Sequence, residues 1–289
     1  MSRIAYVNGR YVPHREAQVH VEDRGYQFAD GVYEVIAVQR GHLLDEKGHF
    51  DRLDHSLKSL RIPWPMSRRA LQSVTRETIR RNRVRNGFVY MQITRGVAWR
   101  DHAFPKNAKC SVVMTARHLK QYDPKAAKTA GVDVITIPDI RWERRDIKSV
   151  SLLPNILGKQ QAVEAGAYEA WQVDDDGFVT EGTATNAWIV NTKRELITRD
   201  ASHAILNGIT RLAVLEVARK NGVKFVERPF TVEEAKAARE AFLTSSTNHV
   251  KGVIRIDGKS IGNGDIGELT TNLIDMYAER MDRAGEAEA

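Results

Sequence analysis

The order of the predicted strands and helices most restricts the fold of this 289-residue chain. Alternating apolar runs, which predict strands, mix irregularly with segments of helical period on both sides of residues 120–131. A doubly wound sheet needs regular alternation of strand and helix, and neither half has it. The sequence therefore predicts a mixed α/β fold, with a small N-terminal domain over residues 1–120 and a larger C-terminal domain over residues 132–283.

Local turn signals support these boundaries. The hydrophobic pattern lapses in KQYDPKAAKTAG, so we expect residues 121–131 to form an interdomain linker, and the polar end at 284–289 to be a flexible tail. The pairs Asn8-Gly9 and Asp257-Gly258 lie between alternating runs and predict hairpins, the first of them with a type I′ turn.

Charge and cysteine content limit the class of protein. The net charge of +7 admits an anionic partner, but the densest basic run, RETIRRNRVRNG at 76–87, has no interleaved aromatic residues, which favours a solvated helix face over nucleic-acid binding. No apolar run is long enough to span a bilayer, so no membrane association is expected. The single cysteine, Cys110, cannot form an internal disulfide and predicts a reducing, cytoplasmic location. Its neighbours, CSVVM, predict a buried strand.

The sequence supports neither a dinucleotide-binding motif nor a metal-binding motif. The segment GNGDIG at 262–267 fits the dinucleotide pattern G-x-G-x-x-G, but it follows a hairpin and precedes the last helix, so no second parallel strand completes the unit. The nine histidines include no close pair at metal-ligand spacing, so we expect no metal site.

A lysine at a polar-to-apolar boundary is the strongest chemical candidate. In ERRDIKSVSLLPNILGKQQAVEAG, residues 143–166, Lys148 follows three arginines at 141, 144 and 145 and precedes an apolar stretch. Burial beside cations makes a lysine amine nucleophilic, although a surface lysine is the commoner outcome. The segment NGITRLAV offers free amides and a hydroxyl at a helix start, where Thr210 could bind phosphate or simply cap the helix. An imine-forming lysine and a phosphate site together suggest pyridoxal 5′-phosphate.

Several segments carry a resemblance to a known family. DIKSVSLLPNILGKQQAVEAGAYEA, VTEGTATNAWIV and ILNGITR, in this order and spacing, resemble the fold-type IV pyridoxal-phosphate enzymes, and FADGVYEV, HFDRL, FLTSSTN and VIRIDGKSIGNG extend the similarity over almost the whole chain. This class includes branched-chain aminotransferases, D-amino acid aminotransferases, (R)-selective amine aminotransferases and aminodeoxychorismate lyases. The resemblance implies a cofactor held in the cleft between the two domains.

The resemblance also implies residue roles. Lys148 would hold the cofactor as a Schiff base and then move a proton between the substrate and the cofactor. Glu181 would pair with the pyridine nitrogen, and Arg52 would bind the phosphate. The remaining cofactor contacts would come from the apolar Leu206, the backbone amides of Ile209 and Thr210, and Ser246.

The loop TRGVAWRDHAFP indicates the subgroup. Arg100 and His102 form an R-x-H pair that resembles the D-amino acid aminotransferases, where this pair and a tyrosine matching Tyr33 bind the substrate carboxylate across a dimer interface. Ser151 and Ala184 depart from residues common in that group and leave side-chain preference and cofactor affinity open. The resemblance therefore implies a homodimeric enzyme that transfers an amino group from a D-amino acid, such as D-alanine or D-glutamate, to pyruvate or 2-oxoglutarate. The alternatives are the L-specific, amine-specific and lyase members, and a non-catalytic anion-binding protein.

Overall fold

The computed structural model describes residues 3–287, which form two compact units. One short segment of the first unit lies, in sequence, within the second. The first unit contains the chain up to Gln121 and also Ile147–Ser151, and the second contains Tyr122–Asp146 and Leu152–Glu286. The segment around Lys148 therefore belongs to the N-terminal unit, although it lies within the range expected for the C-terminal domain. Residues 121–131 also differ from the expected linker, because they include a short helix and belong to the second unit from Tyr122 onwards.

The first unit is a six-stranded antiparallel sheet covered by two long helices. Its elements are β1 (Ile4–Val7), β2 (Arg10–Pro13), α1 (Arg24–Phe28), β3 (Gly31–Gln39), β4 (His42–Leu43), α2 (Glu46–Ser59), α3 (Arg68–Asn82), β5 (Gly87–Thr94) and β6 (Ser111–His118). The strand order is β2-β1-β6-β5-β3-β4. Apolar side chains of α2 and α3, including Phe50, Leu57 and Leu71, form its core with the inner face of the strands.

The second unit is built on a nine-stranded mixed sheet. Its elements are α4 (Pro124–Ala127), β7 (Val132–Pro138), α5 (Leu153–Glu164), β8 (Glu169–Val173), β9 (Val179–Gly182), β10 (Asn186–Val190), β11 (Leu196–Thr198), α6 (Ile209–Lys220), β12 (Phe225–Glu227), α7 (Val232–Lys236), β13 (Glu240–Ser245), β14 (His249–Ile256), β15 (Lys259–Ser260) and α8 (Glu268–Ala287). The strand order is β12-β11-β10-β13-β14-β7-β8-β9, with β15 paired to β14. Trp171 and Phe230 pack edge to face in its main core.

The local predictions hold well at the turns. Asn8 and Gly9 have φ of 45° and 94°, and Asp257 and Gly258 have φ of 48° and 77°, so both hairpins turn through two residues of positive φ. The last helix continues to Ala287, four residues into the expected tail, and residues 288–289 lie outside the described part. None of the helices within residues 3–287 combines the length and apolar character that a membrane span requires.

Cys110 directly precedes β6 and is half-buried against the core of the first unit. Its Sγ lies 3.3 Å from the carbonyl oxygen of Pro63. Burial raises the pKa of this thiol, which keeps it in the unreactive protonated form.

Candidate active site

Lys148 is fixed to the first unit through its backbone, while its amine lies over an aromatic ring. The Lys148 carbonyl accepts a 3.0 Å hydrogen bond from the Tyr33 amide, and the Lys148 amide lies 3.2 Å from Ser56 Oγ. Its Nζ is 4.2 Å from the centroid of the Tyr33 ring. No carboxylate of the described residues lies within 4.0 Å of this Nζ, so the amine is held by the ring and not neutralised by an ion pair.

Arg52 belongs to a buried charge cluster of the first unit. It lies one helical turn before Ser56 on α2, so both side chains occupy the same face of that helix. Its guanidinium makes a bidentate ion pair with Glu34 of β3, at 2.8 Å to Oε1 and 2.7 Å to Oε2, and His49 Nδ1 lies 2.7 Å from Oε2. Arg52 therefore has a fixed orientation beside Glu34.

The protonation states within this cluster follow from burial and pairing. Burial alone would raise the pKa of Glu34, but Arg52 and His49 outweigh it and lower this pKa to about 2. Burial lowers the pKa of His49 more than Glu34 raises it, so the imidazole is neutral at pH 7. One arginine cation thus faces one glutamate anion, with a neutral histidine as the third member.

Glu181 lies at the centre of a second cluster, within the second unit. Arg141 Nη1 donates to its Oε1 at 2.5 Å, the Leu206 amide donates to the same oxygen at 3.1 Å, and Asn186 Nδ2 donates to Oε2 at 3.0 Å. Asp139 also binds Arg141, through contacts of 2.9 Å and 2.7 Å. Burial raises the pKa of Glu181 against the opposing effect of Arg141, while the two carboxylates raise the pKa of Arg141.

The start of α6 adjoins the Glu181 cluster. Asn186 Nδ2 also donates to the Leu206 carbonyl at 3.0 Å, which ties the loop before α6 to the carboxylate. Gly208 precedes the helix and provides no side-chain cap, and a Cβ at this position would collide with Asn186 Oδ1. Ile209 and Thr210, both buried, supply the first amides of the helix. Ser246 is half-buried in the turn between β13 and β14.

The loop with the R-x-H pair is anchored to α1 of the same unit. The guanidinium of Arg100 lies 4.7 Å from the centroid of the Phe28 ring, and the His102 ring lies 5.5 Å from the same centroid. Arg24, which is buried and paired with Asp30 at 2.8 Å, donates to the carbonyls of residues 101 and 102. Arg100 and His102 are both exposed, so their side chains are accessible on a loop of fixed backbone.

The structure thus groups the predicted residues into sets within each unit. Lys148 and Tyr33 form one set in the first unit, and Glu181, Leu206 and the α6 start form another in the second. Sequence reasoning missed the supporting residues Glu34, His49, Asp139 and Asn186, and it grouped Arg141 with Lys148 and not with Glu181. A signal existed only for Glu34, which is a charged residue inside the apolar strand GVYEVIAV.

The arginines that precede Lys148 in sequence do not act as free cations. Arg144 pairs with Asp146 at 2.9 Å, and Arg145 pairs with Asp139 at 3.2 Å. Arg141 is held by Asp139 and Glu181. All three arginines are therefore held in ion pairs.

Comparison with known proteins identifies the family. A family model described as amino-transferase class IV matches residues 31–256, so the chain belongs to the class IV aminotransferases. A D-alanine aminotransferase of Bacillus licheniformis is 41% identical over 92% of this chain and 93% of its own. Another, of Listeria innocua, is 38% identical over 98% of both chains. These similarities confirm the family predicted from the sequence.

The fold is also that of solved class members. A branched-chain aminotransferase of Thermoproteus uzoniensis, solved with norvaline, superposes with a TM-score of 0.83 at 26% identity, over 96% of this chain and 94% of its own. A branched-chain amino acid aminotransferase solved with pyridoxamine 5′-phosphate superposes with a TM-score of 0.89, at the same identity and coverage. The predicted two-domain mixed α/β fold and the prediction of an aminotransferase are both confirmed.

Proposed function

We propose that this aminotransferase uses pyridoxal 5′-phosphate to move an amino group between a D-amino acid and a 2-oxo acid. The observation that carries the chemistry is the Lys148 amine, which lies 4.2 Å from the Tyr33 ring centroid without a carboxylate partner among the described residues. The D-alanine aminotransferases at 41% and 38% identity support a D-amino acid as substrate.

The donor groups in the structure fit the chemical parts of this cofactor. Glu181 keeps a raised pKa although Arg141 is adjacent, so a further cationic donor such as a protonated pyridine nitrogen would stabilise its charged form. The uncapped start of α6, with the amides of Ile209 and Thr210, suits a phosphate group, as do the Arg52 guanidinium and the Ser246 hydroxyl. Leu206 would supply an apolar contact. When bound, the cofactor would accept electrons from the bond broken at the substrate α-carbon.

The chain's own groups would perform binding and proton transfer. Lys148 Nζ would attach the cofactor until the substrate amine displaces the lysine. The freed amine would then accept the proton of the substrate α-carbon and pass it to the cofactor. Tyr33 would orient the amine through its ring. Arg100 and His102 would bind the substrate carboxylate, because a guanidinium matches a carboxylate geometrically and an amine without that group would lose this contact.

A homodimer is part of the proposal. Four apolar side chains of α5, Leu153, Ile156, Leu157 and Val163, are between 48% and 66% exposed. They recur at helical spacing along one face, and such an exposed apolar stripe favours contact with another protein surface. A second copy of this chain would bury it, and sites completed across that interface would follow the predicted role of the R-x-H loop. The cytoplasmic location stays a prediction from the single cysteine.

The first experiment tests substrate choice and the role of Arg100 together. We expect the purified enzyme to convert D-alanine with 2-oxoglutarate and to leave L-leucine, L-alanine and simple amines unchanged. Arg100→Leu removes a charge-assisted hydrogen bond, about 1.5–3 kcal/mol, so KM for D-alanine should rise on the order of 10-fold to 100-fold. Arg69→Leu, which removes an exposed arginine on α3, is the matched control and should leave KM unchanged.

Other results would redirect the assignment. Turnover of L-leucine in place of D-alanine would favour the branched-chain activity named for the Thermoproteus uzoniensis enzyme. Turnover of D-alanine with an unchanged KM in Arg100→Leu would keep the D-specific reaction but remove Arg100 from carboxylate binding.

A further inference from the structure

A basic cleft lies at one end of the large sheet, and none of the proposed active-site residues lines it. Its volume is about 690 Å³. Strand pairing creates it. Val190 of β10 pairs with Leu196 of β11 and with Glu240 of β13, and Leu196 pairs with Phe225 of β12, so these four residues form one row across the sheet. The loop residues just beyond that row are therefore brought together, although they are far apart in sequence.

Those loop residues include four cations. Lys193, Lys224 and Arg239 line the cleft, and all three are exposed. None of them has a carboxylate within 4.0 Å in the part of the chain that the structure describes. A fourth cation, Arg194, is 3.9 Å from Glu268. Glu240 and Glu268 also line the cleft, but neither pairs with Lys193, Lys224 or Arg239. Neighbouring cations without ion-pair partners repel one another, so a multiply charged anion would relieve that repulsion.

The glycine motif GNGDIG forms one wall of this cleft. Gly262 has φ of +57°, and a Cβ there would collide with the Arg239 carbonyl oxygen, while a Cβ at Gly267 would collide with the Glu240 side chain. The two glycines therefore allow this loop to pack closely against the start of β13. This packing explains a motif that does not serve a dinucleotide.

The helix start beside the cleft is already occupied by a protein carboxylate. Glu240 is buried and accepts hydrogen bonds from the amides of Leu269 at 3.0 Å and Thr270 at 2.7 Å. These first amides of α8 are therefore paired within the protein. Attraction for an anion therefore comes from the lysine and arginine side chains and not from this helix start.

We propose that this cleft binds a soluble small molecule that carries a phosphate or diphosphate group. The volume lies within the range of small-molecule sites, and the unpaired cations match a compact multiple negative charge. No aromatic residue is found among the described residues that line the cleft, so it lacks the stacking surface that single-stranded nucleic acid uses. The site is separate from the proposed active site, and the inference does not depend on the D-amino acid assignment.

Titration of the holoenzyme with pyrophosphate, followed by calorimetry, tests the inference, because the cofactor already fills the phosphate site of the active centre. We expect saturable binding at one site per chain. The double variant Lys224→Gln with Arg239→Gln loses two exposed charges and should bind at least about tenfold more weakly. Lys120→Gln, which removes an exposed lysine outside the cleft, should bind like the wild type.

Three results would overturn the inference. The first is the absence of saturable pyrophosphate binding, and the second is equal affinity in the wild type and the double variant. The third is retention of the protein on vesicles of phosphatidylcholine and phosphatidic acid that the double variant abolishes, which would assign the cleft to a lipid headgroup and not to a soluble ligand. Equal transaminase activity in all three proteins would show that any change in binding is not caused by loss of the fold.

Discussion

Two buried glutamates, one in each unit, face arginine and yet have pKa values shifted in opposite directions. Glu34 is 1% exposed and Glu181 is 5% exposed, so loss of hydration is similar for both. Arg52 gives Glu34 both of its parallel contacts, and His49 adds a third. Arg141 instead divides its donors between Glu181 and Asp139, which adds a second negative charge nearby. Burial raises the pKa of both groups, and the arrangement of charges decides whether that rise is outweighed.

The two signs have opposite consequences for stability. The lowered pKa of Glu34 means that its ionised form stabilises the fold at neutral pH, and this contribution is lost as pH falls through about 2. The raised pKa of Glu181 means that folding favours the protonated carboxyl group and that ionisation opposes folding. The stabilisation from the protonated group is complete below the unfolded pKa and is lost as pH rises through the folded pKa. Glu34 therefore suits a structural role, whereas ionisation of Glu181 costs stability, as is common for groups that act on a ligand.

The largest expected effect is the loss of activity when Glu181 loses its charge. Glu181→Gln keeps the size of the side chain but removes the negative charge proposed to face the cofactor's ring nitrogen, so kcat should fall by about 100-fold to 10 000-fold. Steady-state kinetics with D-alanine measures this fall, and the absorbance of bound cofactor confirms that the site is loaded. Full activity in a loaded Glu181→Gln enzyme would contradict the assignment.

The second prediction concerns stability and should affect Glu34 far more than Glu181. A pKa held near 2, against an ordinary value of 4.5, corresponds to about 3 kcal/mol. Glu34→Gln should lower the free energy of unfolding at pH 7 by about that amount, because it also leaves Arg52 buried without its anion. Urea unfolding of the apoprotein measures this change.

Glu77 offers a matched control for this second prediction. Its pKa is also lowered to about 2, by Arg80 and Arg81, but the pair lies on the surface of α3, where water screens it. Glu77→Gln should therefore change the free energy of unfolding much less than Glu34→Gln. Equal losses in the two variants would mean that burial of the Glu34 cluster is not the source of its stability.

The third prediction concerns how the free energy of unfolding depends on pH through Glu34. Between pH 4.5 and about 2, protonation of Glu34 should remove up to about 3 kcal/mol from the wild-type free energy of unfolding. Glu34→Gln has no proton to gain at this position, so its stability should fall less over the same interval. Urea unfolding at several pH values compares the two slopes, and parallel slopes would refute the contribution of Glu34.

The sequence predicted the parts of the molecule that depend on local chemistry. Both Asn-Gly and Asp-Gly turns were predictable because few residues accept positive φ at two successive positions. Helices α3 and α6 were predictable from their apolar period and, for α6, from the glycine that follows. The assignment of Ile147–Ser151 to the first unit was not, since it depends on tertiary pairing of Lys148 and Val150 with β3.

Some residues of the candidate site were likewise predictable from the sequence, and others were not. Lys148, Glu181 and Arg52 were found because the resemblance supplies their roles, and those roles stay predictions. Asp139 and Asn186 had no local signal, and Arg141 was noted only as a basic residue before Lys148. An ion pair between residues 40 positions apart, such as Arg141 and Glu181, leaves no period in the sequence. The burial and the charge partners that together give Glu34 and Glu181 their opposite pKa shifts are likewise tertiary properties.

The smallest expected effect tests why the pKa of Glu181 is raised. Asp139 contributes a nearby negative charge and binds three nitrogens of Arg141, at the side chain and the backbone. Asp139→Asn removes that charge and leaves Arg141 with Glu181 as its single anion in the cluster. The pKa of Glu181 should therefore fall, in the direction already seen for Glu34.

Carboxyl ¹³C NMR of the apoprotein, labelled at glutamate, measures this shift, and Glu181→Gln identifies the signal. Asp174→Asn is the matched control, because it removes a carboxylate that pairs with Arg199 in the same unit and does not contact Glu181. A Glu181 midpoint that moves to lower pH in Asp139→Asn, and stays in place in Asp174→Asn, would attribute the raised pKa to the shared arginine. An unmoved midpoint in Asp139→Asn would leave burial as the whole cause, and the contrast with Glu34 would then rest on Arg52 alone.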